Sequence, residues 1–220
     1  MNVTEAIKAR VSIRAFKPDA VPEALVREII DVARYAPSGG NLQPWKVIVV
    51  AGAERDAVIA LAQANLPGEE GDRPVYPPNL WEPYRTRRYK VGEDMYALLG
   101  IGRDNKPARL MHLAQNFQFF GAPVGLFFVI DKAVGHGQWA HLGMFMQSLA
   151  LAALERGVQG CMQEAWARVR LPLAAHFRLD DKEMIYCGMA LGYADMSQQV
   201  NTLRSDRAPV DEIAVFRGFS

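Results

Sequence analysis

Charge of one sign is what this sequence lacks first: 25 lysines and arginines stand against 24 acidic residues, a formal net charge of +1. Nucleic-acid binders carry a basic excess or stripe, so neither nucleic acid nor an anionic membrane is an expected partner. Cysteine is nearly absent too. Cys161 and Cys187 lie far apart and neither belongs to a C-x-x-C pair, which argues against thiol redox chemistry or zinc and for two core thiols in a reducing compartment. The four histidines, His112, His136, His141 and His176, show no H-E-x-x-H spacing, so no metal is expected and they read as surface or helix-packing residues. No long hydrophobic run is present. The most apolar stretch, 139–154, is broken by His141, Gln147 and Ser148 and falls short of the ~20 residues a spanning helix needs. The first five residues put no basic region ahead of an apolar run, so no secretory signal is expected and the cytoplasm is the expected location. Gly100-Ile-Gly102 continues without a third glycine and follows no strand, which disfavours a Rossmann dinucleotide site.

What is present is a globular composition, half apolar and 22% charged, that predicts one domain over 1–220. Thr4 starts a short helix, and Pro22 opens a second in which Leu25, Ile29, Val32 and Val26, Ile30, Ala33 recur at helical spacing. Residues 45–50 form a β-branched run of strand length, and a helix follows over 54–64. From 66 to 83 the chain spends five of its thirteen prolines, with Glu69, Glu70 and Asp72 early and a basic run, 85–90, just after. This reads as a lid-like insertion over about 65–105, interrupted by a helical turn or two near 95–99. Further helices are expected at 108–120, 138–156 and 172–177, and strands at 124–130, 158–163 and 184–191. Helices on both faces of a mixed sheet make an α+β, three-layer architecture. A polar arm begins near 195, and the strand-like end, 210–219, either folds back on its own domain or pairs with the sheet edge of another chain.

Three clusters could carry chemistry. Arg10, Ser12 and Arg14 alternate, so two guanidiniums and a hydroxyl share one side of an extended segment, an arrangement suited to a phosphate. Alone, the pattern more often marks a solvated surface. Pro37-Ser38-Gly39-Gly40-Asn41-Leu42-Gln43 is a backbone-permissive loop whose amides suit a heteroaromatic edge, although Gly39 by itself fits a helix end. Arg204-Ser205-Asp206-Arg207 is a second basic cluster, in the arm.

In order, Arg10-x-Ser12-x-Arg14, the 36–45 run, Asn116-Phe-x-Phe-Phe-Gly-Ala-Pro123, Gln163-Glu-Ala-Trp166 and Arg204-Ser-Asp-Arg207-Ala-Pro resemble the FMN-dependent nitroreductase family over nearly the whole chain. The run Tyr84-Arg-Thr-Arg-Arg-Tyr-Lys90 is similar to its nitrobenzoate and nitroaromatic reductase branch. The resemblance implies an intertwined homodimer with a central mixed, mostly antiparallel sheet, C-terminal strands exchanged through an arm at about 195–220, and two FMN molecules at the interface. It implies that Arg10, Ser12, Arg204 and Arg207 hold the FMN phosphate and that Arg14 lies by the N1/O2 edge. Pro37, Ser38, Gly39, Asn41 and Gln43 reach the flavin from the partner, and backbone donors of Gln163 and Glu164 face N5 and O4. NADH or NADPH would reduce the flavin, and a small aromatic substrate such as a nitrobenzoate, or a quinone, would reoxidise it by ping-pong hydride transfer. No residue need act as acid or base, with Arg14 and Glu164 tuning the ring. Candidate substrate contacts are Arg85, Arg88, Tyr89 and Phe120, with Arg85 or Arg88 attracting an aromatic carboxylate or simply forming a solvated face. Two departures stand out: His141 where many relatives are acidic, and Cys161-Met162 without the usual proline. Enoate reduction or dehalogenation on the same scaffold, and a non-catalytic flavin-binding regulator, are the alternatives.

Overall fold

The computed structural model describes residues 1–68 and 75–219, so the acidic residues Glu69, Glu70 and Asp72 lie outside the described residues. The first helix, α1 (Val3–Ala9), starts one residue before Thr4, where the sequence predicts it, because Asn2 caps it. The Asn2 side chain accepts from the Glu5 N–H at 2.9 Å while the Glu5 carboxylate accepts from the Asn2 N–H at 3.0 Å, closing a capping box. Helix α2 (Glu23–Ala33) turns Val26, Ile29 and Ala33 inward, and Val32, grouped with the apolar stripe in the sequence, remains exposed.

Four strands follow, β1 (Lys46–Ala51), β2 (Val124–Asp131), β3 (Gln159–Gln163) and β4 (Glu183–Gly192), in the spatial order β1-β2-β4-β3. Every pairing among the described residues is antiparallel, so the expected mixed sheet is not seen within one chain. Strand β2 is buried along its length up to Ile130, and its alternate side chains serve two cores. Leu126, Phe128 and Ile130 pack with α2 and the long helix α6 (His136–Glu155) on one face. Phe127 and Val129 pack on the other with α3 (Gly52–Asn65), α7 (Arg170–His176) and an aromatic cluster around Trp166. Each such side chain contributes roughly 1.5–3 kcal/mol by leaving water, so β2 holds the three layers together. Among the described residues, no helix is long and apolar enough to cross a membrane.

Three elements differ from expectation. The segment assigned a turn or two is a fifteen-residue helix, α4 (Tyr84–Leu98). It hides from a periodicity search because it is polar almost all round, burying only Tyr96 and held instead by the ion pairs Arg85–Glu82 and Lys90–Asp94 along its surface. The helix expected over 108–120 is α5 (Lys106–Ala114) continued by 3-10 turns, Gln115–Gly121, in which Phe119 and Phe120 take left-handed backbone at φ of 51° and 52°. That turn drives the Phe119 ring onto Trp166, 4.6 Å between centroids, over sheet positions where only glycine fits. A Cβ on Gly125 would lie 2.3 Å from the Phe119 ring and one on Gly188 2.4 Å from Trp166. Third, the C-terminal segment forms one helical turn, α8 (Val210–Ile213), and no strand among the described residues, because it meets no free edge of its own sheet.

Candidate active site

The chain between α1 and α2 runs as an extended strap along β3. The Ile13 N–H donates to the Gly160 carbonyl at 3.1 Å and its side chain is fully buried. Alternation then sends Ser12 and Arg14 to the opposite side from Ile13. Arg10, Ser12 and Arg14 converge on Cys161, where burial pushes the thiol up and Arg14, the Ser12 hydroxyl and Arg10 pull against that rise. The strap is tied to the C-terminal arm by Asn201, a residue only 1% exposed. Asn201 Oδ1 accepts from the Arg14 N–H at 2.8 Å, and its Nδ2 donates to the carbonyls of Ala15 and Asp195, both at 2.8 Å. Arg204 donates to the Asn201 carbonyl at 3.2 Å, which places it at the same locus. Arg207 curls onto Ser205 and the Asp206 carbonyl and, among the described residues, makes no hydrogen bond to the strap.

Arg14 opens onto a cleft of about 960 Å³. The end of β3 forms its floor. There the Gln163 side chain is spent internally, donating to the Asn116 carbonyl at 2.8 Å and accepting from Trp166 Nε1 at 3.3 Å, so only its backbone can serve a ligand. Glu164 accepts a long 3.4 Å contact from the Tyr186 hydroxyl, whose pKa is pushed up to about 12 by burial first and by the Glu164 charge second. Phe120, His112 and Arg88 also line this cleft. A second cleft of about 890 Å³ shares Arg14 and Arg88 and adds Arg85 and Tyr89. Strand β3 is unbroken through Cys161 and Met162, opposite Ala190 and Met189, so the missing proline leaves its end in register.

The loop 37–43 lies elsewhere, lining neither cleft. Gly40, Asn41 and Gln43 take positive φ, the Gln43 N–H is held by the Ser38 hydroxyl at 2.9 Å, and the Gly39 N–H donates to His141 Nδ1 at 3.3 Å. His141 therefore supports the loop that the sequence singled out. The chain brings together Arg10, Ser12, Arg14, Gln163, Glu164 and Arg204, but not Pro37, Ser38, Gly39, Asn41 and Gln43.

A sequence model of the nitroreductase family matches residues 7–193. The chain belongs to the nitroreductase family. It is 39% identical to a 4-nitrobenzoate reductase of Pseudomonas putida over 97% of this chain and 94% of that protein. It is 34% identical to a chloronitrobenzene nitroreductase of Comamonas testosteroni, over 97% and 96%. Among solved structures, the FMN and NADPH-dependent nitroreductase NfnB from sphigopyxis sp. strain HMH matches with a TM-score of 0.96 at 40% identity, covering 100% of both chains. The FMN-dependent NfnB from Mycobacterium smegmatis in complex with NADPH matches with a TM-score of 0.90 at 31% identity, over 98% and 97%.

Two residues of this nitroreductase escape sequence reasoning. Asn201 sits in a polar arm where nothing marks it as buried. His112, grouped above with surface or packing histidines, lines the cleft, and its buried Nε2 has no hydrogen-bond partner among the described residues. Burial, then Arg14, hold its pKa below the ordinary value. Among the described residues no three His, Cys, Asp or Glu side chains group as a metal site.

Proposed function

We propose that this nitroreductase is an FMN-dependent oxidoreductase that uses NAD(P)H to reduce nitroaromatic compounds, working as a homodimer in the cytoplasm. The observation that carries the reading is the junction at Asn201, which ties the strap, whose Arg14 lines an aromatic-walled cleft, to the arm that carries Arg204. The donor set fits the cofactor: guanidiniums and a hydroxyl for its phosphate, a buried imidazole nitrogen left unpartnered, and backbone at a strand end. Arg10, Ser12 and Arg204 hold the phosphate by charge-assisted hydrogen bonds, with Arg207 adding charge at the rim. Bound there, FMN would supply two-electron redox chemistry between NAD(P)H and the acceptor.

Arg14 supplies a fixed cation that stabilises negative charge arising on the bound ring, which lowers the barrier without a proton-transferring side chain. The backbone at Gln163 and Glu164 orients the ring edge, and the internal bonds of the Gln163 side chain keep that backbone in place. Phe120 offers an apolar wall for an aromatic acceptor. The loop of Pro37, Ser38, Gly39, Asn41 and Gln43 serves the cleft of the partner subunit, which accounts for its distance from the cleft of its own chain. The exposed C-terminal residues cross over to the partner, and residues 75–96 wall the substrate entrance.

Purified protein is expected to be yellow and to bleach anaerobically on addition of NADPH or NADH, then recover colour on addition of a nitroarene. A colourless protein that takes up no FMN refutes the cofactor assignment. A yellow protein that neither nicotinamide bleaches refutes the oxidoreductase.

A further inference from the structure

Helix α4 carries Arg85, Arg87, Arg88 and Lys90 within two turns, and three of these cations are neutralised. Arg85 pairs with Glu82 at 2.7 Å, Arg87 with Glu212 at 2.6 Å, and Lys90 with Asp94 and Asp206 at 2.7 and 2.9 Å. Arg88 is different. Among the described residues it forms no ion pair or hydrogen bond, and its guanidinium carbon lies 4.1 Å from the centroid of the Tyr76 ring. An arginine stacked this way uses the face of its planar group and leaves its N–H edge open, in the fork geometry that matches a carboxylate.

Its position gives that edge a use. Arg88 belongs to the walls of both clefts, together with Arg14, Tyr76 and Met95, so it stands where they join. Phe120 lies in the lining of the larger cleft and supplies an apolar surface for an aromatic ring. The acidic residues among the described lining are engaged elsewhere: Glu93 is gripped by Arg109 at 2.5 and 3.0 Å, and Glu164 is the acceptor for Tyr186. No described carboxylate of the clefts competes for Arg88. Arg85 is a poorer candidate, being paired already and confined to the second cleft.

We propose that Arg88 is a specificity-determining residue that selects nitroarenes bearing a carboxylate, gripping that carboxylate with its open guanidinium edge while the ring lies in the larger cleft. The proposal rests on the nitroaromatic reading above. A neutral nitroarene leaves Arg88 hydrated and gains nothing from it, whereas an acid gains charge-assisted hydrogen bonds.

The test uses FMN-loaded enzyme and two acceptors of similar shape, 4-nitrobenzoate and its neutral methyl ester, with wild type, R88Q and R88K. Wild type is expected to favour the acid in kcat/KM, and R88Q to lower the acid-to-ester ratio by roughly 10- to 100-fold, mainly through KM for the acid. R88K should recover only part of the ratio, since an ammonium lacks the fork. Equilibrium binding of benzoate and benzamide, which cannot be reduced, gives a readout independent of turnover: R88Q should weaken benzoate by a similar factor and leave the benzoate-to-benzamide preference near one. A wild type that reduces the ester but shows no preference for the acid overturns the proposal and leaves the nitroreductase reading standing. So does an R88Q variant that lowers acid and ester alike, or that slows bleaching by NADPH in step with acid turnover, which would assign Arg88 to the electron donor. A wild type that NADPH bleaches but neither nitroarene reoxidises overturns the nitroaromatic reading itself.

Discussion

At the scale of the residue, the decisive side chains are those that satisfy backbone groups of distant segments. Asn201 makes three hydrogen bonds that no water can replace at 1% exposure. N201A should cost roughly 2–4 kcal/mol of stability, from lost bonds and the donors and acceptors left unpaired. It should also weaken FMN binding, because the strap that carries Arg14 loses its side-chain tie to the arm, while the Asn201 carbonyl that holds Arg204 remains; urea melts of the apoprotein and a flavin titration separate the two effects. His112 bears on pH. Its folded pKa lies below the ordinary value of 6.5, so the unfolded chain takes up the proton first. The stability it contributes is whole above about pH 6.5 and is lost as pH falls below that value. Melting temperatures of apoprotein between about pH 7.5 and about pH 5.5 should therefore fall less steeply for H112Q than for wild type.

At the scale of the element, close approach sets the tolerances. Phe119 and Trp166 lie flat over β2 and β4 because Gly125 and Gly188 leave them room, and the left-handed turn at Phe119 and Phe120 exists to deliver the ring there. G125A should destabilise the protein by roughly 1–3 kcal/mol, as overpacking of a filled core does, and guanidinium unfolding of the variant checks it. A Cβ added at Gly137, in α6 with open space around it, is the control and should leave stability unchanged or raise it by up to about 1 kcal/mol. Helix α4 is governed by other forces. Exposed ion pairs contribute about 0–1 kcal/mol each, so the links Arg87–Glu212 and Lys90–Asp206 position the arm weakly. Asn201 is its firm attachment.

At the scale of the whole molecule, the chain ends in apolar residues that its own cores do not use. Val215, Phe216 and Phe219 are 82%, 64% and 83% exposed, apolar surface on the segment proposed above to cross to a partner subunit. Deleting 210–220 should shift the protein to a monomer on a sizing column and lower its flavin content. A truncated protein that stays dimeric and yellow would remove the arm from the interface.

The sequence alone marked the family, through the resemblance of an ordered set of motifs, and marked the four strands, the long central helix and the alternation of Arg10, Ser12 and Arg14 through local periodicity. The chemistry of those residues was legible for the same reason. Their convergence was not. That Asn201 joins strap to arm, that His112 faces the cleft, that α4 is a helix, and that Arg88 alone of its run lacks a carboxylate partner among the described residues all depend on contacts between segments remote in sequence. Local patterns report how a segment can bury its own side chains; which polar groups end up paired is settled only when the layers close.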